Sequence, residues 1–258
     1  RLICDMRRAD GSEHEMSSRY ILKKTAQAAE EAGYTCYVDP ECEFFLFHID
    51  DNGMPTTVSH EKAGYLDVSP VDLGENARRD MVLTLEDMGF EVESSHHETA
   101  PAQHEIALHY GEAREMADEV ITFKMAVRTV AKRHGLHATF MPKPRREVNG
   151  SAMHIHFSLF KNGKNIFVDP EDPTRLSEEA YYFIGGLLAH SREMTLITNP
   201  LVNSYKRLVP GFDAPTELTW TRNNQNSLVR IPRVNGADTR IELRSPDAAS
   251  NPYLVFAV

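Results

Sequence analysis

Two features of the chain predict an α+β fold, with a mainly antiparallel sheet carrying helices on one side. Short runs that alternate apolar and polar residues recur along its length. Amphipathic helical segments fall between them without a strict strand–helix–strand repeat. The 258 residues are enough for one large domain or two small ones, and 41% hydrophobic against 26% charged residues suits a globular chain with a substantial core. No apolar run reaches the length of a membrane span.

In order, Arg1 to Met6 is the first strand candidate, followed by a polar turn at Ala9-Asp10-Gly11. Ser17 is placed to cap a helix carrying Ile21, Leu22, Ala26 and Ala29, which Gly33 stops. Tyr34 to Asp39 reads as a strand broken by Pro40, and Glu41 to His48 as the next. Residues 51–74 form a long loop rich in Asp, Gly, Pro and Ser, and such a loop in a compact domain is more often functional than idle. Asn76 to Met88 is an amphipathic helix ended by Gly89. Strand-like runs at 90–95 and 103–110 flank an Ala100-Pro101-Ala102 turn. Arg114 to His134 has the longest helical periodicity, stopped at Gly135. His137 to Met141 is a strand, Lys143-Pro144-Arg145-Arg146 a basic turn, and Ser151 to Phe160 a strand turned by Asn162-Gly163. Ser177 to Arg192 is helical, and from Leu201 short strands alternate with polar loops. A first residue other than Met and a helix only just begun at Asn251 to Val258 suggest a piece of a longer chain.

The net charge of -10 argues against nucleic acid as a partner, because phosphate backbones select a basic face. It leaves room for a small anion held by local arginines or metal ions. Cys4, Cys36 and Cys42 are odd in number and form no C-x-x-C pair, so reduced thiols in a cytoplasmic protein are expected.

The chemistry concentrates between His96 and Glu105, where ten residues hold three histidines and two carboxylates. Alone, this could be a solvated polar loop. The pattern recurs, however. On the strand at 153–160, His154, His156 and Ser158 point opposite to Met153, Ile155, Phe157 and Leu159. Glu41 and Glu43 flank Cys42 ahead of four apolar residues, and such neighbouring carboxylates repel unless cations lie between them. Glu91, Glu93 and Ser95 share a face, as do Arg240, Glu242 and Arg244. If these strands pair in one sheet, their polar faces line one concave surface. Carboxylates with few histidines and no thiolates favour Mg²⁺ or Mn²⁺ over zinc, and adjoining arginines suggest phosphate chemistry. Neither a G-x-x-x-x-G-K-[ST] loop nor a kinase signature is present. The residues alone lead to a metal-dependent phosphoryl-transfer enzyme.

Seven motifs add a resemblance across the whole chain: Asp39-Pro40-Glu41-Cys42-Glu43-Phe44, Gly64-Tyr65-Leu66-Asp67, His96-His97-Glu98 with Gln103-His104-Glu105, Asn149 through His156, Asn203 through Gly211, Arg230-Ile231-Pro232, and Arg240 through Arg244. In this order they resemble the catalytic domain of type I glutamine synthetases. The resemblance implies residues 1–258 as one catalytic domain, built on a curved antiparallel sheet that forms half of a funnel and incomplete at its C-terminal end. A neighbouring subunit's small N-terminal domain, absent here, completes the funnel in a ring-shaped homo-oligomer.

It further implies one metal on Glu43, Glu98 and Glu105 and a second on Glu41, His154 and Glu242. Glutamate would bind at Asn149, Gly150, Arg207 and Arg244, and ATP at Glu93, His156, Ser158, Arg230 and Arg240. Arg207, Arg230 and Arg240 would stabilise phosphoryl transfer to the glutamate γ-carboxylate, giving γ-glutamyl phosphate, from which an amine displaces phosphate with help from Asp213.

Four departures bear on the amine and phosphate end. Asp213 stands where the family usually has Glu, and Gln225 where it has a phosphate-binding Arg. Glu147 and Ala152 replace glycines, and the N-terminal domain is missing. Ammonia is the expected amine, with an organic amine such as a polyamine or ethanolamine the alternative. A weakly active nucleotide-binding paralogue is the reading from another class.

Overall fold

A computed structural model of the chain describes residues 2–59, 61–172, 175–233 and 238–258. In chain order the first strands are β1 (Thr35–Cys42), β2 (Phe44–His48), β3 (Val92–His97), β4 (Gln103–Leu108), β5 (Gly111–Glu112) and β6 (Leu136–Thr139). They are followed by β7 (Met153–Lys161), β8 (Lys164–Asn165), β9 (Glu217–Thr221), β10 (Ser227–Arg230) and β11 (Ile241–Leu243). The fold is α+β and mainly antiparallel, with only β9 and β10 paired in parallel among the described residues.

The single sheet expected from the strand faces is corrected to two. The larger runs β5-β1-β7-β11-β10-β9 with β8 on β7, and the smaller β3-β4-β2-β6. Glu43 is the pivot. Its N–H donates to the Ala152 carbonyl at 3.0 Å, after which Phe44 and Phe45 leave to pair with His104 and Gln103. Phe44 to Phe47 are buried on both faces, so this strand lies between layers and cannot offer one face to solvent.

Pro40 does not break β1 as expected. Strand β5 reaches only Tyr37 and Val38, so further along no described strand on that side calls for the missing N–H, while Pro40 keeps register with Ile155 on the other. The strand expected over residues 1–6 is also corrected. Among its described residues none is in a strand, and Leu2 remains 89% exposed, since an apolar run forms a strand only where an edge is available to pair with it.

The helices are α1 (Ser18–Glu31), α2 (Glu75–Asp87), α3 (Ala113–Arg133), α4 (Glu178–Ala189), α5 (Ser191–Thr198), α6 (Ser204–Arg207) and α7 (Pro252–Ala257). Helix α3 buries Met116, Val120, Phe123, Val127 and Val130 at helical spacing, each such side chain contributing about 1.5–3 kcal/mol. It packs on β1, β6, α1, α2 and α7. Ser17 precedes α1 without a side-chain cap, whereas Ser177 caps α4 through Ala180 N–H at 3.1 Å and Asn251 caps α7 through Tyr253 N–H at 3.0 Å. The single helix expected from Ser177 to Arg192 is two. At the joint the Ser191 hydroxyl donates to the Leu188 carbonyl at 3.0 Å, competing with the helical ladder.

No described helix is long and apolar enough to cross a membrane, and the three cysteines are free thiols. With helices covering one side of the sheets, the polar faces open on the other, where the two sheets meet.

Candidate active site

A cavity of about 420 Å³ occupies that junction. On the smaller sheet, His96 pairs in register with Glu105 and His97 with His104. Alternation therefore sends His96 and Glu105 into the cleft and buries His97 and His104 behind it. Glu98 follows at the strand end, 2.8 Å from His96 Nε2. Glu43 enters from the pivot, accepting from Gln103 Nε2 at 2.8 Å and Ala152 N–H at 2.7 Å. Burial, reinforced by the Glu98 charge, pushes Glu43 up to about 8. Glu105 rises well above the ordinary range through burial and the charges of Glu41, Glu43 and Glu98. This wall holds more negative charge than its own neighbours balance.

On the larger sheet, Glu41 pairs across from His154, and Glu242 lies opposite both His156 and Arg230. His156 Nε2 lies 2.9 Å from Glu41 Oε1, and Arg240 Nε–H donates to His156 Nδ1 at 3.3 Å, which places the imidazole proton on Nε2 facing the carboxylate. Glu242 is fully buried and accepts from Arg230 Nε and Arg244 Nη1. Burial opposes the charge on Glu41 and Glu242. Even so, the histidines beside both, and the guanidiniums beside Glu242, hold them below the usual carboxylate value. His154 is pushed down to about 4 by burial and by Arg244, and its buried Nε2 has no hydrogen-bond partner.

At one end of the cleft, Asn149 Nδ2 donates to Asp213 Oδ2 at 2.6 Å, and Gln225 lines the opening. Only glycine fits at 150, because a Cβ there would stand 2.1 Å from the Pro142 carbonyl and 3.1 Å from Arg207. Arg207 is buried in the floor, donating to the carbonyls of Ser245 at 2.9 Å and Arg244 at 3.0 Å. At the other end a second cavity of about 280 Å³ is lined by Tyr37, Asp39, Glu93, His156, Ser158 and Arg240, among others. Asp39, Glu93 and Arg240 line both spaces.

Of the expected metal, glutamate and nucleotide residues, all but Glu242 line one or both of these cavities, and Glu242 is buried behind His156, Arg230 and Arg244. One face assignment is corrected. The β3–β4 register shifts between Val92 and Ser94, so Glu93 and Ser95 point apart: Glu93 and Ser94 line the cleft while Ser95 accepts from Arg78 Nε at 2.9 Å. Asp39 was missed. It sits two residues before Glu41 on the same strand, a spacing hidden by the expected break at Pro40. Burial pushes Asp39 up to about 6, and its Oδ1 has no partner. Among the described residues, two of the three sets of donor atoms within 4.8 Å of one another lie here, Glu41–His156–Glu242 and His96–Glu98–Glu105, which bring in His156 and His96 and leave out the expected His154 and Glu43.

Fold and cleft define an α+β protein whose two sheets converge on a site of carboxylates, histidines and guanidiniums. Residues 15–258 match the family described as glutamine synthetase, catalytic domain, and the chain belongs to that family. The glutamine synthetase of Clostridium saccharobutylicum is 57% identical over 257 residues, and that of Thermus thermophilus 52% over 259, each match covering 100% of this chain and 58% of the relative. The chain therefore spans 58% of the length of these relatives. Among solved structures, a Plasmodium falciparum glutamine synthetase superposes with a TM-score of 0.90 at 32% identity, covering 98% of this chain and 56% of that one. GmaS in complex with ADP does so with a TM-score of 0.86 at 34% identity, covering 96% and 58%.

Proposed function

We propose that the intact protein ligates L-glutamate with ammonia, using ATP and forming γ-glutamyl phosphate. The observation that carries this reading is the meeting, in one cleft, of an under-neutralised carboxylate wall with a guanidinium-rich one. The donor set suits two hard cations, Mg²⁺ or Mn²⁺: burial and carboxylate repulsion outweigh the pull of Arg207 and Arg244 on Glu43, Glu105 is crowded by three glutamates, and His154 Nε2 is a buried ligand atom without a partner. Glu43, Glu98 and Glu105 would hold one and Glu41, His154 and Glu242 the other. Bound there, the ions would neutralise charge on phosphate oxygens.

The remaining roles belong to the chain. Glu93, His156 and Ser158 hold the adenine nucleotide in the side cavity that they line, and the similar GmaS structure is described as an ADP complex. Arg230 and Arg240 orient the phosphates. Asn149, Gly150, Arg207 and Arg244 hold glutamate. Asp213, restrained by Asn149, takes a proton from the incoming amine and shields the acyl phosphate from water. We assign residues 1–258 to one catalytic domain of a cytoplasmic, ring-shaped homo-oligomer. A neighbour's N-terminal domain would complete each site, so the piece alone should be nearly inactive. Neither nucleic acid nor membrane is part of this reading.

A second reading replaces ammonia with an organic amine. Its support is local: Asp213 is one methylene shorter than the expected Glu, and Gln225 brings no charge to the cleft mouth. The test is phosphate release from ATP by the intact protein with glutamate and Mg²⁺ or Mn²⁺, across ammonia and a panel of amines. Strong release with ammonia alone supports the first reading, and release only with an organic amine replaces it by the second. Release with none would sink both and leave a nucleotide-binding paralogue.

A further inference from the structure

Behind the cleft lies a second set of ionisable groups with no role in the reaction above. Glu61, Asp72, His97 and His104 are all buried, with donor atoms within 4.8 Å of one another. By spacing alone they could pass for a metal site. Their cations are already present in the chain, however. Arg78 Nη1 stands 2.6 Å from Asp72 Oδ2 and 2.9 Å from His104 Nδ1. His97 sits between two acceptors, Glu61 Oε1 at 2.6 Å and the Glu98 carbonyl at 2.6 Å, so both its nitrogens donate and the ring is an imidazolium. Two carboxylates thus face two cations.

The placement of the four groups is what gives them a task. Glu61 and Asp72 come from the long loop, and His97 and His104 from β3 and β4, immediately before Glu98 and Glu105. Glu61 also accepts from Ala102 N–H in the turn between those strands and from Leu73 N–H at 3.1 Å, closing the loop on itself. Asp72 Oδ1 accepts from Gly74 N–H at 2.8 Å. Gly74 lies so close beneath His104 that a Cβ would come within 2.5 Å of the ring. On the cleft side of the same loop, Leu66 N–H donates to the His97 carbonyl at 3.0 Å, and Tyr65 packs edge-on against His96 with centroids 5.6 Å apart.

We propose that Glu61, Asp72 and Arg78 are positioning residues: they latch the 61–74 loop to the rear of β3 and β4, fixing the spacing of Glu98 and Glu105 and holding Tyr65 over the cleft. The latch rests on the reading of those two glutamates as metal donors. It acts through the backbone, because each buried histidine is anchored one residue before a cleft carboxylate. Groups of this kind behind a metal site typically alter affinity by about 10–100-fold when removed.

The test is Mn²⁺ binding to the intact protein without substrates, read by the electron paramagnetic resonance signal of free Mn²⁺, with thermal melting in parallel. Glu61→Gln and Arg78→Met are expected to weaken Mn²⁺ about tenfold. In assays their apparent KM for Mn²⁺ should rise while kcat at saturating metal holds, a split that a general loss of fold would not give. Glu98→Gln is the control for the parent reading. Lost affinity in Glu98→Gln with unchanged affinity in Glu61→Gln overturns the latch alone. Unchanged affinity in both overturns the metal assignment and the latch with it. Tightly held metal in purified protein that survives Glu98→Gln and disappears in Asp72→Asn would make the cluster a metal site, again overturning the latch. Should Glu61→Gln and Arg78→Met fail to fold, Ser95→Ala removes only the bond to Arg78 Nε: a severalfold loss of affinity supports the latch and none overturns it.

Discussion

The two walls of the cleft are built from the same acidic residue type and behave in opposite ways. On the smaller sheet, burial and mutual repulsion raise Glu43 and Glu105 toward the protonated form. On the larger sheet Glu242 is more deeply buried and Glu41 is partly exposed. Yet histidines and, for Glu242, guanidiniums lying beside them hold both below the ordinary carboxylate value. The count of carboxylates therefore says little, and what stands between them decides. One wall is internally neutralised and preorganised, while the other keeps its carboxylates crowded against one another.

The sharpest way to break this comparison is to make one substitution on each wall. Glu242→Gln removes the counter-charge of two guanidiniums in a fully buried position, so unfolding free energy should fall by about 3 kcal/mol or more in denaturant melts, with or without Mn²⁺. Glu43→Gln keeps the shape, and its amide oxygen can still accept from Gln103 and Ala152. It relieves repulsion, so the metal-free protein near pH 8 should gain on the order of 1 kcal/mol while the stabilisation by Mn²⁺ disappears. Equal losses from both changes would mean that the walls are not different in kind.

Much of the contrast was legible in the sequence. Period-two alternation at 153–160 and 240–244 put His154, Arg240 and Arg244 on the side that lines the cleft, with His156 in the side cavity and Glu242 buried against its neighbours, and the limits of α3 fell within one residue of Arg114 to His134. Alternation reports which face a side chain takes but not which strand lies beside it. The split into two sheets at Glu43 was therefore hidden, as was the continuity of β1 through Pro40 that brings Asp39 into the site. The bulge after Val92 was equally silent, since one inserted residue flips every later face. Least legible was the latch. Glu61 and Asp72 sit in a polar loop and look solvated until Arg78 and two strand histidines, up to 43 positions away, enclose them.

Acidity offers a gentler test of the same contrast. Because Glu43 rises from 4.5 to about 8 and Glu105 shifts in the same direction, the metal-free native protein holds protons that the unfolded chain has released between those values. Stability should therefore decline as pH rises through that window. Glu41 and Glu242 carry the opposite sign: their contribution is present above 4.5 and is lost only as pH falls below it, through their depressed native values. Melting with a chelator from pH 4 to 9 should show the decline, and saturating Mn²⁺ should flatten or reverse it. A decline equally steep in Glu43→Gln would move its origin elsewhere.

The smallest effect is expected at Gln225. It is exposed and lines the same cleft as Arg230, Arg240 and Arg244. A further guanidinium there acts through solvent, and exposed charge pairs contribute about 0–1 kcal/mol, or up to about fivefold in rate at 1.36 kcal/mol per tenfold. Gln225→Arg in the intact protein should therefore change kcat/KM for glutamate and ammonia by no more than that factor, as steady-state phosphate release would show. A gain of several orders of magnitude would mean that the cation-rich wall had lacked an essential charge, and that the native chain is a weak catalyst whose larger sheet is less complete than its matched pairs suggest.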